Sequence, residues 1–420
     1  MNLKFKIGDR AQDVEVKDEN LIAVLTPNDD ALPKVINKDT EFEEVKHALE
    51  NPIGTKRLKD IVKPGEKIAI ITSDLTRPMP TWKVMPQLLD ELYAGRVKRE
   101  DITLVFALGS HRKQTEDEQK HLAGERAWAE IKCVDSDPNN CVHVGETSGG
   151  TPVDIDRTVI EADKRMCIGN IEYHYFAGYS GGAKAIMPGV STREAIQANH
   201  SRMIQPEAHA GKLDGNPIRE DIEEACAKVG VDFILNVVLT PQKEIIKAVA
   251  GDIKQAHRAG CAFLDTLYRK HIPERADIVL VSQGGSPKDL NLYQTQKALD
   301  NSKHAVKNGG VIILIGSCKE GLGEKTFEEW LINAKTSHSL IERIHKEFKL
   351  GGHKAAAIAM VLENAEIYLV SDMEDEFVKS LFMTPFKSVQ DAYDAAVKKL
   401  GDKAKVIAMP YGGSTLPFCE

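Results

Sequence analysis

The chain has 420 residues, of which 42% are hydrophobic and 28% charged, with a formal net charge of −8. That length accommodates two or three domains with a large core, the composition is that of a globular protein, and a net negative chain lacks the basic footprint of a nucleic-acid binder. No apolar run approaches the roughly 18 residues that cross a bilayer, and the start, MNLKFKIGDR, has no secretory apolar core, so no membrane partner and a cytoplasmic location are expected. The seven cysteines are scattered and odd in number, with no C-x-x-C, which argues against a disulfide framework or a zinc ribbon.

Residues 1–50 read as a β-rich start with helical pieces and no evident chemistry. EKIAIIT (Glu66 to Thr72) is a compact β-branched run behind Pro64-Gly65, the pattern of a buried parallel strand. SDLTRPMP follows, then an amphipathic helix from about Trp82 to Tyr93. ITLVFAL (Ile102 to Leu108) repeats the plan and leads into Gly109-Ser110-His111-Arg112. Further strands are read at Arg165–Gly169 and Phe233–Leu239. Strands alternating with helices predict an α/β fold with a parallel sheet. Ligands bind such sheets beyond the carboxyl ends of the strands. Asp74, Arg77, His111 and His174 all fall just past a strand end, which groups them as candidate site residues, although Asp74 also suits a helix N-cap and His111 a solvated loop.

The stretch from Gly169 to Ser201, GNIEYHYFAGYSGGAKAIMPGVSTREAIQANHS, concentrates the most chemistry. Gly178-Tyr-Ser180-Gly-Gly182 matches a nucleophile elbow, but the strand that should run straight into Ser180 ends well before it. A phosphate loop needs Gly-Lys followed by Ser or Thr, whereas Lys184 stands between two alanines. A third reading makes Lys184 a covalent anchor for a bulky group approaching over glycines, with His200 as a metal ligand. Ser191-Thr-Arg-Glu194 reads as a capping box that starts a helix, with His200 about two turns in.

A helical stretch from about Asp252 to Lys270 ends near Pro273, and the domain boundary is placed there: residues 1–272 form an N-terminal α/β domain and 273–420 a C-terminal one. The second domain is read as the strand Asp277–Ser282, a glycine-containing loop, a helix bearing Tyr293, Gln294 and Lys297, and strands at Gly309–Gly316, Glu366–Val370 and Lys405–Met409. Tyr293 and Lys297, four apart, share a helix face.

HYFAGYSGGAKAIMPGV followed by Asn199-His200, with SDLTRP, GSHR and YQTQK, resembles the nickel-dependent lactate racemase family from Ser73 to Lys297. The resemblance implies two α/β domains, each a mostly parallel sheet flanked by helices, with the active site in the cleft between them. It implies a nickel-pincer nucleotide, a pyridinium-3,5-bisthiocarboxylic acid mononucleotide whose ring carbon and two sulfurs bind nickel. Lys184 would be its anchor, His200 the fourth nickel ligand, and Ser73, Asp74, Tyr293 and Gln294 would help hold it. His111 and His174 would be the two proton-transferring bases, and Arg77 and Lys297 would bind the carboxylate of a 2-hydroxy acid. Cofactor-maturation enzymes are the implied partners. The readings set against this are a serine hydrolase using Ser180 and a non-enzymatic nucleotide- or nickel-binding protein.

Overall fold

The computed structural model describes residues 1–240 and 242–419 and divides the chain into two units. One runs from Asp30 to Thr266; the other joins Met1–Asp29 to Leu267–Glu420.

The first unit is built on a six-stranded sheet. Its strands are β1 (Ile68–Ser73), β2 (Ile102–Ala107), β3 (Lys132–Asp135), β4 (Lys164–Asn170), β5 (Phe233–Leu239) and β6 (Ile245–Gly251), in the spatial order β6-β5-β4-β1-β2-β3. All pairings are parallel except β5 with β6, and Ile68 stands opposite Ile102 on one side and Lys164 on the other. β1 is buried through Thr72, as a strand covered on both faces must be. On one face Ile68, Ile70, Leu104 and Phe106 pack with Val84, Leu88, Leu89 and Leu92 of the helix Thr81–Ala94, each large side chain contributing about 1.5–3 kcal/mol. From β1 the chain steps outward through β2 and β3, then returns to set β4 on the other side of β1. The winding reverses there, so a crevice opens at the carboxyl ends of β1 and β4.

The second unit has a six-stranded parallel sheet ordered Thr384–Phe386, β9 (Ala365–Val370), β8 (Val306–Ile315), β7 (Ala276–Ser282), β10 (Val406–Met409) and Leu21–Val24. The hairpin Asn2–Ile7/Arg10–Glu15 alternates with a period of two, and its inward Leu3, Phe5 and Ile7 pack against Ile278, Leu280 and Ile313. Residues 1–29, which the sequence division groups with the N-terminal domain, cluster with residues 267–420, where their apolar alternation packs on the C-terminal core. The later passage between units falls at Thr266–Leu267, in the last turn of a helix over Gln255–Tyr268. The α/β class and the parallel sheets are as the sequence predicts. Among the described residues no helix is long and apolar enough to cross a membrane.

Candidate active site

Ser73 ends β1, and Asp74 follows, 3% exposed. The Asp74 carboxylate accepts from the Thr76 hydroxyl at 2.7 Å and lies 2.7 Å from His111 Nδ1. Burial works to raise the Asp74 carboxyl, but the hydrogen bonds from His111 and Thr76 and the charges of His111 and Arg77 outweigh it and hold the group below its ordinary range. An ionised carboxylate can only accept, so His111 Nδ1 donates, and in the neutral ring the lone pair is on Nε2. Asp74 therefore orients His111. Arg77, three residues on, is exposed. The loop bearing His111 is fastened to the glycine-rich stretch by Gly109 N–H donating to Gly189 O at 2.9 Å.

That stretch leaves β4 and turns back through the two-residue pairing of Tyr173-His174 with Gly178-Tyr179. Gly178 has φ +77, and a Cβ there would stand 2.0 Å from the Lys212 carbonyl oxygen, so only glycine fits. Buried polar side chains hold the turn from behind. Arg219 donates to Ala177 O and Tyr179 O, His257 Nε2 lies 2.8 Å from Ser180 O, and Asn236 accepts from Gly182 N at 2.8 Å. These come from two helices, α2 (Pro217–Val229) and α3 (Gln255–Tyr268), and from β5. Burial and then the Arg219 charge push His257 down to about 3, so the ring is neutral and donates to the carbonyl.

Phe176 is the hub in front of the turn. Its ring lies 4.5 Å from His174 and 4.8 Å from His200, edge to face in both cases, with Lys184 Nζ 5.8 Å from its centroid. Part of Lys184 is open to solvent, yet the protein packed around its amine drives its pKa well below 10.5, aided by the charges of Arg219 and Arg77. A lysine whose pKa is lowered this way is the better nucleophile. His174 is likewise lowered, by burial and then by Lys184, Arg77, His200 and Arg219. His200, 7% exposed, closes the helix α1 (Arg193–His200). That helix starts one residue later than the capping-box reading: Thr192 is the cap, accepting from Ala195 N, while the Ser191 hydroxyl donates to Ile186 O.

The structure thus gathers His174, Lys184 and His200 around one ring and places Ser73, Asp74, Arg77 and His111 on adjoining loops of the same unit. Ser180 has no elbow: its hydroxyl donates to Asn170 O at 2.8 Å and accepts from Glu172 N at 2.9 Å, which ties it to the backbone. Among the described residues, no group of three or more His, Cys, Asp or Glu could cage a metal.

In the second unit Tyr293, Gln294 and Lys297 lie on α4 (Leu292–Ser302), with Gln294 and Lys297 exposed and Asn291 capping the helix through Gln294 N. Sequence reasoning missed Lys354, in the first turn of α5 (Gly352–Leu362). It is 7% exposed, donates to Tyr293 O at 2.6 Å and sits 3.8 Å over the Tyr293 ring. Burial and then the Lys297 charge push it down to about 7, against the pull of Asp300. Between about 7 and the ordinary lysine value near 10.4 the unfolded chain binds more protons than the folded one. The linkage therefore favours folding more strongly as pH rises through that window. Wild-type protein should be less stable at pH 7 than at pH 9.5 by about 3 kcal/mol from this group, at 1.36 kcal/mol per unit. Urea unfolding of Lys354→Met should lose that slope; an unchanged slope would assign it elsewhere.

A doubly wound α/β core that gathers imidazoles and a lysine amine of lowered pKa on the loops beyond its strand ends has the groups of an acid–base enzyme. Residues 7–211 match the family model of the lactate racemase N-terminal domain, and residues 272–416 that of the C-terminal domain. The chain is 37% identical over 387 residues to the lactate racemase of Thermoanaerobacterium thermosaccharolyticum, covering 90% of each. It is 32% identical to that of Lactiplantibacillus plantarum, covering 90% of this chain and 91% of the relative. The solved lactate racemase apoprotein of T. thermosaccharolyticum superposes with a TM-score of 0.87 at 34% identity, over 99% of this chain and 100% of that one. A Thermotoga maritima protein at 18% identity and TM-score 0.60, over 93% of this chain and 100% of its own, shares the fold. The chain belongs to the lactate racemase family, and it is an isomerase.

Proposed function

We propose that this chain racemises or epimerises a 2-hydroxy acid, lactate or a close relative, using a nickel-pincer nucleotide tethered to Lys184. The gathering of Lys184, His174 and His200 around Phe176, beside the Asp74–His111 pair, carries the reading.

The residues fit that group. Gly178 and Gly182 both have positive φ and pack against Lys212 and His257, so they set the turn that leads into Lys184. Lys184 offers an amine that would condense with one thiocarboxylic carbon of the group with loss of water, so that both sulfurs stay available to the metal. His200 offers one imidazole, so a metal held there must arrive with its other donors, as a planar pincer with three does for square-planar nickel. Ser73, Tyr293 and Gln294 offer polar contacts to the nucleotide. When bound, the group supplies a hydride acceptor and donor for C2 of the substrate.

The chain's own residues manage the rest. The proton at C2 beside a carboxylate is too weakly acidic for a side-chain base, whereas the hydroxyl proton is within reach of an imidazole. His111, with its lone pair on Nε2, takes that proton from one enantiomer. The other enantiomer presents its hydroxyl to the opposite side, where His174 serves. His174 Nδ1 accepts from Ala177 N at 3.3 Å, a long contact that the ring gives up when it takes a second proton. A substrate carboxylate would offset Arg77, one of the charges that lower His174. For that carboxylate Arg77 offers a two-pronged fork and Lys297 an ammonium.

The test is intact mass together with nickel content, on protein co-produced with cofactor-maturation enzymes, followed by a panel of 2-hydroxy acids. One mononucleotide on Lys184 with near-stoichiometric nickel is expected. Unmodified, nickel-free protein that still turns over a hydroxy acid would remove the reading.

A further inference from the structure

His200 Nδ1 lies 2.9 Å from Asn199 Oδ1, and the rest of the Asn199 amide decides which of the two donates. Asn199 Nδ2 faces Asp221 Oδ2 at 2.7 Å and Ile218 O at 3.3 Å. A backbone carbonyl only accepts. The Asp221 carboxylate already receives the Thr147 hydroxyl at 2.5 Å, the Thr151 hydroxyl at 2.7 Å and the Arg202 guanidinium at 3.1 Å. Turning the amide over would set a carbonyl against both acceptors. The NH₂ group therefore faces Asp221, the amide oxygen faces His200, and an amide oxygen can only accept. The hydrogen of His200 is on Nδ1 and the lone pair is on Nε2. Asn199 and Thr151 are 0% exposed and Asp221 4%, so no water competes for these bonds.

We propose that Asn199, braced by Asp221, is a positioning residue that fixes His200 in the Nδ1–H form so that Nε2 is the nitrogen presented to a metal; this rests on the reading that a nickel-bearing group is held at His200. An imidazole binds a metal through a lone pair, and the partner of its other nitrogen sets tautomer, ring direction and basicity. That partner is commonly a carboxylate or carbonyl. Here it is an amide oxygen polarised from behind by a carboxylate. Phe176, edge to face at 4.8 Å and 67°, limits ring rotation. Without the amide oxygen, Nδ1 loses the acceptor that fixes its hydrogen, the other tautomer gains population, and the metal must displace a proton from Nε2.

Two measurements test this. In unloaded, ¹⁵N-histidine-labelled wild type, nitrogen shifts should report His200 protonated on Nδ1; protonation on Nε2 overturns the proposal whatever the protein binds. In protein co-produced with maturation enzymes, Asn199→Leu should keep the nucleotide mass on Lys184 but lose nickel to EDTA about 10–100-fold faster than wild type, the usual size of such second-sphere effects. A merely structural role would lower attachment and nickel together. If Asn199→Leu does not fold, the exchange Asn199→Asp with Asp221→Asn restores an acceptor toward Nδ1 and should hold nickel within a few-fold of wild type. Wild-type nickel retention in a loaded Asn199→Leu protein, or rapid loss from a folded exchange variant, overturns the proposal. A wild-type protein with no nucleotide mass and no nickel instead overturns the underlying reading, and the nitrogen shifts keep the two failures distinct.

Discussion

Lys184→Ala and Lys184→Arg proteins, co-produced with the maturation enzymes, emerge at the bare polypeptide mass. The state of the amine decides this. Burial and the charges of Arg219 and Arg77 hold Lys184 well below the usual lysine value, which favours the neutral, nucleophilic form. Alanine has no nucleophile. Arginine keeps the positive charge and the reach but stays protonated, so it separates nucleophilic attachment from simple ion pairing. Loss should be complete in both variants. A mononucleotide retained in Lys184→Ala, mapped by peptide mass to another residue, would move the anchor.

His111→Ala and His174→Ala should each lower racemisation by about 10²–10⁴-fold, the usual worth of a positioned acid or base, while leaving the nucleotide mass in place. The two losses differ in hand. Each variant keeps one base, so each should still convert one enantiomer to its 2-keto acid in a single turnover, and the two variants should prefer opposite enantiomers. Chiral chromatography with a keto-acid assay reads both quantities, with intact mass as the loading control. The same enantiomeric preference in both variants would remove the two-base assignment. Asp74→Asn should mimic His111→Ala in hand but with a smaller loss. The imidazole remains, and only its 2.7 Å partner loses charge.

Much of the architecture is legible in the chain because buried parallel strands are short β-branched runs. Ile68–Ser73, Ile102–Ala107 and Phe233–Leu239 stand where IAIITS, ITLVFA and FILNVVL are written. The grouping of Asp74 with His111 is legible for a different reason: motifs at strand ends cluster by topology. What was hidden depends on three-dimensional neighbours. Arg219, His257 and Asn236 look like ordinary helix and strand residues, and only the fold reveals them behind the Gly178–Gly182 turn. Lys354 carried a faint signal, a cation in a first helical turn within an apolar run, where the helix dipole disfavours it. The cap at Thr192 rather than Ser191 went unseen because the Ser191 hydroxyl is taken by a carbonyl five residues earlier.

The pairing of Leu21–Val24 with Val406–Met409 has a consequence for how the protein is made. Synthesis completes residues 30–266 as one uninterrupted stretch, free to collapse while the ribosome is still working. The hairpin before it, with Leu3, Phe5 and Ile7 on one side, has no sheet to lie on until residues near 313 appear, and its neighbouring strand has no partner until residues near 406 do. At about 5–20 residues per second that wait lasts tens of seconds. An early, apolar, half-formed hairpin trailing from a nascent chain is the kind of segment that general chaperones cover, and the C-terminal unit is the one whose yield should fall first when they are scarce.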